Sequence, residues 1–154
     1  QIEINRYSIV DIPLVCEIGR EKVGQGAFAH IINFVKADMF EYAKSLNKVK
    51  EYDTIVFKSV LHDWPIQEVE EILICILAAM RSGSQLLILE RCAFSQENIR
   101  SPSFQDVSNL VFSPFYRQPH IYENLLKNSD QEIWIETKYA WLDMKWFMLR
   151  VRRK

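Results

Sequence analysis

The chain has 154 residues, 49% of them hydrophobic and 25% charged, which is ordinary for one globular domain with a real core. Its net charge of −1 gives no overall attraction to nucleic acid. No apolar run approaches the roughly 20 residues that a membrane-spanning helix needs, and no signal peptide is visible. We therefore expect a cytoplasmic protein, folded as a single domain over residues 1–154, with neither a nucleic-acid nor a membrane partner.

The three cysteines, Cys16, Cys75 and Cys92, are widely spaced, and no Cys/His cluster has the spacing of a zinc site. An odd number of cysteines in a cysteine-poor chain favours a reducing compartment. The chain opens with Gln rather than Met, as expected of a fragment or a processed product. These features predict no metal and no disulfide framework.

Strand-like and helix-like stretches alternate along the first part of the chain. The predicted elements are, in order, a strand at 6–11, a helix at 13–23, a strand at 31–36, a polar connection at 44–50, a strand at 52–58, a helix at 66–80 and a strand at 85–90. The helix at 66–80 is the most strongly marked, because its apolar residues recur at helical spacing and Pro65 suits its first turn. The strand at 52–58 is apolar throughout its middle, as buried parallel strands tend to be.

The last part of the chain predicts a polar loop, two helices and a final pair of strands. They lie at 93–103 for the loop, 104–112 and 120–127 for the helices, and 132–139 and 145–153 for the strands. The link between the last two strands is too short for a crossover helix, so these strands should be antiparallel. The repetition of strand and helix predicts an α/β fold with a doubly wound sheet.

The segment from Phe57 to Trp64 carries the most informative ionisable residues. A predicted strand ends at Lys58, and the pair His62 and Asp63 follows before the long helix begins. In open α/β sheets, ligands bind beyond the carboxyl ends of the strands, and histidine titrates near neutral pH. A lone histidine at such a place can equally belong to a solvated turn without a function.

Four motifs occur in one order along the chain. They are Ile9-Val10-Asp11-Ile12-Pro13, Lys36-Ala37-Asp38-Met39-Phe40, Leu61-His62-Asp63-Trp64 and Ser82-Gly83-Ser84-Gln85-Leu86-Leu87-Ile88-Leu89-Glu90. On these motifs, residues 7 to 126 resemble the C-terminal catalytic domain of S-adenosylmethionine-dependent O-methyltransferases of the plant caffeate and acetylserotonin type. The resemblance implies S-adenosylmethionine as cofactor and a small phenolic or hydroxyindole compound as substrate.

The resemblance also implies catalytic roles for two residues. His62 would be the general base that takes the proton of the substrate hydroxyl, a contribution of roughly 10²–10⁴-fold. Glu90 would orient His62 and stabilise its protonated form, as in other histidine–carboxylate pairs. Asp63 is part of the motif, although it would serve equally well as a cap of the following helix. No metal takes part in this mechanism.

Four further residues would bind the cofactor. Asp11 would accept hydrogen bonds from the ribose hydroxyls, and Asp38 would accept one from the amino group of the adenine. Met39 would cover the face of the adenine ring, and Lys58 would lie near the carboxylate end of the cofactor. The alternatives are a strand-end or cap residue for Asp11, core filling for Met39 and a surface lysine for Lys58.

Part of the family's cofactor site has no counterpart in this sequence. The family binds the cofactor first through a glycine-rich loop after its first strand, but no glycine here precedes Asp11. The resemblance thus implies a partial methyltransferase domain with an incomplete Rossmann-like sheet. That sheet would be mostly parallel, with a C-terminal antiparallel pair, and would lack its central first strand. Unpaired buried backbone groups cost about 1–3 kcal/mol each. We expect a rearranged sheet, or one completed by another copy of the chain in a homodimer, or by another segment.

A second departure lies in the segment 114–119. Tyr116 stands where the family has a second acid beside the catalytic histidine, whereas Arg117 is kept. A tyrosine could hydrogen-bond His62 but cannot supply negative charge. The sequence thus leaves two hypotheses. One is the C-terminal part of a longer, active O-methyltransferase, inactive by itself, and the other is a catalytically inactive methyltransferase-like module for binding or dimerisation. A dehydrogenase is disfavoured, because no G-x-G-x-x-G loop is present.

Overall fold

The computed structural model describes residues 6–24, 26–46, 52–92, 104, 111, 115–140 and 146–154. The chain divides into two compact units, residues 1–46 and 47–154. All six predicted strands are found, with ends within two residues of those expected. The loop predicted at 93–103 lies outside the described residues. So does most of the helix predicted at 104–112, of which Phe104 and Val111 are described and helical.

Within the described residues, the first unit has two strands and two α-helices, in the order β1 (Tyr7–Asp11), α1 (Pro13–Val23), β2 (Ile32–Lys36) and α2 (Met39–Leu46). The two strands pair in parallel and end together, with Asp11 opposite Lys36. Cys16 of α1 is fully buried against them, and its thiol donates to the carbonyl oxygen of Asp11 at 3.3 Å. Gly19 allows a close approach, because a Cβ there would lie 2.3 Å from a ring carbon of Phe34.

Helix α2 corrects one prediction. Residues 44–50 were expected to form a polar connection, but α2 continues through Lys44 and Ser45 to Leu46. Asp38 caps its first turn, and the buried residues Ala43 and Leu46 lie three positions apart on one face of the helix. Two buried positions are enough to dock one short face, although they give little periodic signal in a sequence rich in polar residues.

Among its described residues, the second unit has four strands and two continuous α-helices. In chain order these are β3 (Thr54–Lys58), α3 (Ile66–Ala79), β4 (Gln85–Arg91), α4 (Pro119–Lys127), β5 (Ile133–Ala140) and β6 (Trp146–Arg153). The strands form one sheet in the order β3-β4-β6-β5. Strands β3 and β4 are parallel, and β6 pairs antiparallel with both β4 and β5, which confirms the predicted C-terminal pair.

The core of the second unit comes from alternate strand residues and one side of α3. The fully or almost fully buried apolar residues include Leu61, Val69, Ile72, Leu73, Ile76, Leu77, Met80, Leu86, Ile88, Tyr122, Leu126, Phe147, Leu149 and Val151. The alternation in β4 and β6 has the period of two expected of strands with one covered face, and α3 shows helical spacing. Burying one such aliphatic side chain contributes roughly 1.5–3 kcal/mol.

The sequence predicts that the sheet lacks its central first strand, and the pairing of β1 and β3 is relevant to that prediction. Among the described residues, β1 pairs only with β2, and β3 pairs only with β4. One edge of each of these strands therefore has no partner strand within the described part of the chain. Completion by another copy or another segment stays a prediction.

Two kinds of feature, a membrane-spanning helix and a cluster of metal-binding side chains, are absent from the described residues. Of the helices described, none combines the length and apolar character that a bilayer crossing demands. No three His, Cys, Asp or Glu side chains within the described ranges are grouped so that they could hold a metal ion.

Candidate active site

The turn that carries His62 begins with a strained residue. Strand β3 ends at Lys58, and Ser59 follows with a φ of 55°, in the left-handed region that side chains disfavour. Its amide donates to the carbonyl oxygen of Leu89 at 3.0 Å, which continues the pairing with β4. A single 3₁₀ turn, Leu61–Asp63, comes next and buries His62 to 8% exposure. Strain of this kind persists where the surrounding contacts hold it, often at functional sites.

Glu90 binds both the backbone of this turn and the imidazole. It lies near the end of β4 and is fully buried. Oε1 accepts hydrogen bonds from the amides of Val60 at 2.9 Å and Leu61 at 2.8 Å, while Oε2 lies 2.6 Å from Nδ1 of His62. A buried carboxylate costs much free energy unless it is hydrogen-bonded, and here both oxygens are used. Because a carboxylate only accepts, Nδ1 carries the hydrogen in the neutral ring, and Nε2 is the basic nitrogen.

Nε2 of His62 has a second acid nearby. It lies 3.5 Å from Oδ1 of Asp63, a separation longer than a good hydrogen bond. Asp63 is largely exposed, with 53% of its side chain accessible. Its charge therefore acts on the imidazole while Nε2 keeps its capacity to accept a proton.

The pKa of His62 reflects opposing influences. Burial is the largest of them and by itself lowers the pKa, and the positive charge of Arg117 acts in the same direction. The hydrogen bond that His62 donates to Glu90, the charge of Glu90 and the charge of Asp63 together outweigh these effects, so the pKa of His62 lies above its usual value of 6.5. The site thus favours the protonated imidazole more than water does.

Arg117 holds the other end of the turn. A bridge between Cys92 and Arg117 places this segment beside the end of β4. Arg117 is 8% exposed, and its guanidinium donates to the carbonyl oxygens of Leu61 at 3.1 Å and Trp64 at 2.5 Å. The sequence assigned Arg117 no role. The only available signal was that this arginine is kept in a segment where the neighbouring residue departs from the family.

Tyr116 lies against the face of the imidazole. The ring centroids of His62 and Tyr116 are 4.5 Å apart, and the planes differ by 14°. The sequence suggested that this tyrosine could hydrogen-bond the histidine. The contact found is instead a stack of two rings, which fixes the ring plane from one side.

Tyr122, on α4, completes the buried surroundings of Glu90. Burial raises the pKa of Tyr122 to about 12, and the negative charge of Glu90 adds to the effect while Arg117 opposes it. The phenol therefore stays neutral at any physiological pH. Its ring packs against Phe147 of β6, with centroids 5.7 Å apart.

The predicted cofactor residues fall into two groups. Asp11 and Asp38 lie together where β1 and β2 end, since the amide of Ala37 donates to the carbonyl oxygen of Asp11 at 3.1 Å. Met39 follows as the first residue of α2 and is partly exposed. Lys58 belongs to the second unit, where it is exposed at the end of β3, in the chain segment that leads to His62.

Both acids of the first group make local hydrogen bonds. Oδ1 of Asp11 accepts from the amide of Ile12 at 2.8 Å. Oδ1 of Asp38 accepts from the amides of Phe40 at 2.9 Å and Glu41 at 3.1 Å and so caps α2. Each carboxylate thus uses one oxygen for the nearby backbone.

Comparison with known proteins identifies the family. A model of the O-methyltransferase domain matches residues 4–130 of the chain. The O-methyltransferase FrzF of Cladobotryum sp is 32% identical over 85 residues, which are 55% of this chain and 19% of that protein. The 3-hydroxy-5-methyl-1-naphthoate 3-O-methyltransferase of Streptomyces sahachiroi is 31% identical over 83 residues, which are 54% of this chain and 23% of that protein.

A solved structure shows the same fold. Human N-acetylserotonin methyltransferase, in complex with S-adenosylmethionine, superposes with a TM-score of 0.70 at 21% identity, over 96% of this chain and 40% of the human one. The expected α/β methyltransferase fold is thereby confirmed, with open sheets of parallel and antiparallel strands. The chain spans less than half the length of these relatives. It belongs to the O-methyltransferase family.

Proposed function

We propose that this chain is the catalytic part of an S-adenosylmethionine-dependent O-methyltransferase in which His62 is the general base. The observation that carries the proposal is the buried hydrogen bond of 2.6 Å between Glu90 and Nδ1 of His62. It directs the basic lone pair to Nε2 and raises the affinity of the ring for a proton. Those are the two properties that a base for a hydroxyl group needs.

The residues of the first unit fit the cofactor. Asp11 and Asp38 each use Oδ1 for the backbone, which leaves Oδ2 of each to accept hydrogen bonds from a ligand. A ribose presents two hydroxyl donors and an adenine an amino donor, which suit two acids at neighbouring strand ends. Met39 would lie against the adenine face and Lys58 near the carboxylate. These four assignments are proposals.

The chemistry of this chain is one proton transfer. When bound, S-adenosylmethionine supplies a methyl group on a positively charged sulfur. Nε2 of His62 would take the proton of the acceptor hydroxyl when the methyl group passes to that oxygen, and the carbon–sulfur bond would break to leave neutral S-adenosylhomocysteine. Glu90 keeps its bond to Nδ1 throughout and stabilises the imidazolium that results. Later loss of the proton from Nε2 to water restores the base.

The acceptor is proposed to be a small phenolic or hydroxyindole compound. Two of the named relatives support this class. The Streptomyces enzyme is named as a 3-O-methyltransferase of a hydroxynaphthoate, and the human one as an N-acetylserotonin methyltransferase. We place the reaction in the cytoplasm.

A second candidate is a methyltransferase-like module that binds or dimerises without catalysis. It is favoured by Tyr116 in place of the second acid and by the edges of β1 and β3, which have no partner strand among the described residues. A homodimer or another strand-completing partner would cover such edges. Light scattering at increasing protein concentration measures whether a second copy is recruited.

The decisive experiment is methyl transfer by the longest natural form of the protein. Replacing His62 with Ala should lower the rate by roughly 10²–10⁴-fold and leave the affinity for S-adenosylmethionine nearly unchanged. The matched control is His120→Ala, which removes an exposed imidazole on α4. Equal rates for wild type and His62→Ala would remove His62 from the role of base. No methylation of any phenolic or indolic acceptor would favour the second candidate. Calorimetry with S-adenosylmethionine and S-adenosylhomocysteine tests whether residues 1–154 by themselves bind the cofactor.

A further inference from the structure

The imidazole of His62 is held at one edge by a hydrogen bond and on one face by a ring. A single bond from Nδ1 to Glu90 leaves the imidazole free to tilt about the direction of that bond. Tyr116 removes this freedom, because its ring lies nearly parallel to the imidazole at 14° with 4.5 Å between the centroids. The separation is at the close end of the range that stacked aromatic rings adopt.

Tyr116 is itself placed by its neighbour in the chain. The guanidinium of Arg117 is buried and bonded to two carbonyl oxygens of the turn that carries His62. The carbon Cζ of Arg117 also lies 5.7 Å from the centroid of the Phe115 ring. The backbone of Tyr116 is therefore held next to the turn of His62 by the bonds of Arg117.

The charged groups around the imidazole come from three elements. Glu90 approaches from β4, Asp63 from the turn itself, and Arg117 from the segment of Tyr116. The two acids favour the imidazolium and the arginine opposes it. A phenol ring adds no net charge here, but its negative face attracts a cation stacked on it.

We propose that Tyr116 is a positioning residue for the general base, whose ring holds the imidazole of His62 in the plane that joins Nδ1 to Glu90 and leaves Nε2 for the proton of the substrate. In this chain the base is thus held by one acid and one aromatic ring. The importance of this contact for catalysis rests on the proposed function. The positioning itself does not, because it can be measured without any substrate.

Nuclear magnetic resonance of the chain as it stands tests the positioning. In the wild type, the ring current of Tyr116 should move the carbon-bound protons of His62 upfield of those of the exposed His120. At a pH where His62 is neutral, nitrogen shifts should show mainly the tautomer with hydrogen on Nδ1. Tyr116→Phe should keep both signals. Tyr116→Leu should lose the upfield shift and a measurable part of the Nδ1–H tautomer.

One control variant and one further replacement of Tyr116 complete the test. Tyr7→Leu removes an exposed tyrosine of β1 and should change neither signal. Tyr116→Met is a second replacement without a ring, in case the leucine variant does not fold. An unshifted His62 in the wild type would overturn the proposal without any variant. An unchanged tautomer in the folded Leu or Met variant would also overturn it.

Kinetics separate this proposal from the proposed function. In the longest natural form, Tyr116→Leu should lower kcat by roughly tenfold, a modest part of what a misplaced group can cost, with KM for S-adenosylmethionine unchanged. Tyr116→Phe should keep the wild-type kcat, because the aromatic ring remains. If His62→Ala keeps full activity while the tautomer still depends on Tyr116, the base role fails and the positioning stands. If the tautomer ignores Tyr116 while His62→Ala is inactive, the positioning fails and the base role stands.

Discussion

The turn around His62 and the acid pair at the end of β1 and β2 are held in different ways. Glu90 is fully buried, and it bonds His62 and two backbone amides that lie about 30 positions before it in the chain. Asp11 and Asp38 are partly or largely exposed and bond amides within three positions of themselves. The turn around His62 therefore depends on contacts between distant parts of the second unit, whereas the acid pair depends mainly on local structure.

The largest expected effect is a loss of stability when the bonds of Glu90 to the turn around His62 are removed. Glu90→Ala leaves two amides and Nδ1 of His62 without their acceptor in a buried place, at about 1–3 kcal/mol for each group. We expect the free energy of unfolding to fall by at least about 3 kcal/mol, as measured by chemical denaturation. The control is Glu136→Ala, which removes a partly exposed acid of β5 paired with Lys138 and should cost no more than about 1 kcal/mol. Equal losses in the two variants would contradict the central role of Glu90.

The second prediction uses the pKa of His62, which lies above its usual value of 6.5. A group whose pKa is raised by folding stabilises the native state fully below its unfolded pKa, and this stabilisation is lost as the pH rises through the folded pKa. The stability difference between wild type and His62→Gln should therefore shrink as the pH is raised above about 6.5. Denaturation at a series of pH values measures it.

The control for this pH series is His120→Gln, which should follow the wild type at every pH, since His120 is exposed on α4. If His62 is the base, as proposed, the same shift should place the rise of methyl transfer by the longest natural form above pH 6.5, because a base must be deprotonated to act. A difference between wild type and His62→Gln that grows with pH would mean that burial dominates over Glu90.

The contrast between the two regions also explains what could be predicted from the sequence. The strands that end before His62 and near Glu90 could be predicted, because both have clear apolar runs. The pairing of His62 with Glu90 was implied by the resemblance alone. Helix α2 was not predicted from the sequence, since only Ala43 and Leu46 mark its buried face.

The stack on His62 lay beyond sequence reasoning. Tyr116 reaches the imidazole because Arg117 pairs with Cys92, a contact across a long stretch of chain. Whether a tyrosine there turns its hydroxyl or its ring face to the histidine depends on that path. Residue type and spacing carry no information on it.

A third prediction concerns the backbone strain at Ser59, just before the turn around His62. Ser59 adopts a φ of 55°, which costs an ordinary residue about 1–2 kcal/mol and glycine almost nothing. Ser59→Gly should therefore raise the free energy of unfolding by up to about 1 kcal/mol, after allowance for the greater freedom of glycine in the unfolded chain. Ser59→Ala keeps the Cβ and serves as the matched control, with no gain. If alanine stabilises as much as glycine, the side-chain hydroxyl and not the backbone is the source of the cost.

The smallest expected effect concerns Asp38 in the acid pair at the end of β1 and β2, because this residue has two candidate roles. Asp38 caps α2 through Oδ1, and removal of a cap by Asp38→Ala should cost about 1 kcal/mol. Asp38→Ser retains a capping oxygen but loses the second carboxylate oxygen and its charge. Amide exchange at Ala43 should therefore accelerate in the alanine variant and stay near the wild-type rate in the serine variant. Calorimetry on the longest natural form should show weaker binding of S-adenosylmethionine in both. If the serine variant binds as tightly as the wild type, Asp38 is a helix cap and nothing more, and the adenine amino group must find its acceptor elsewhere.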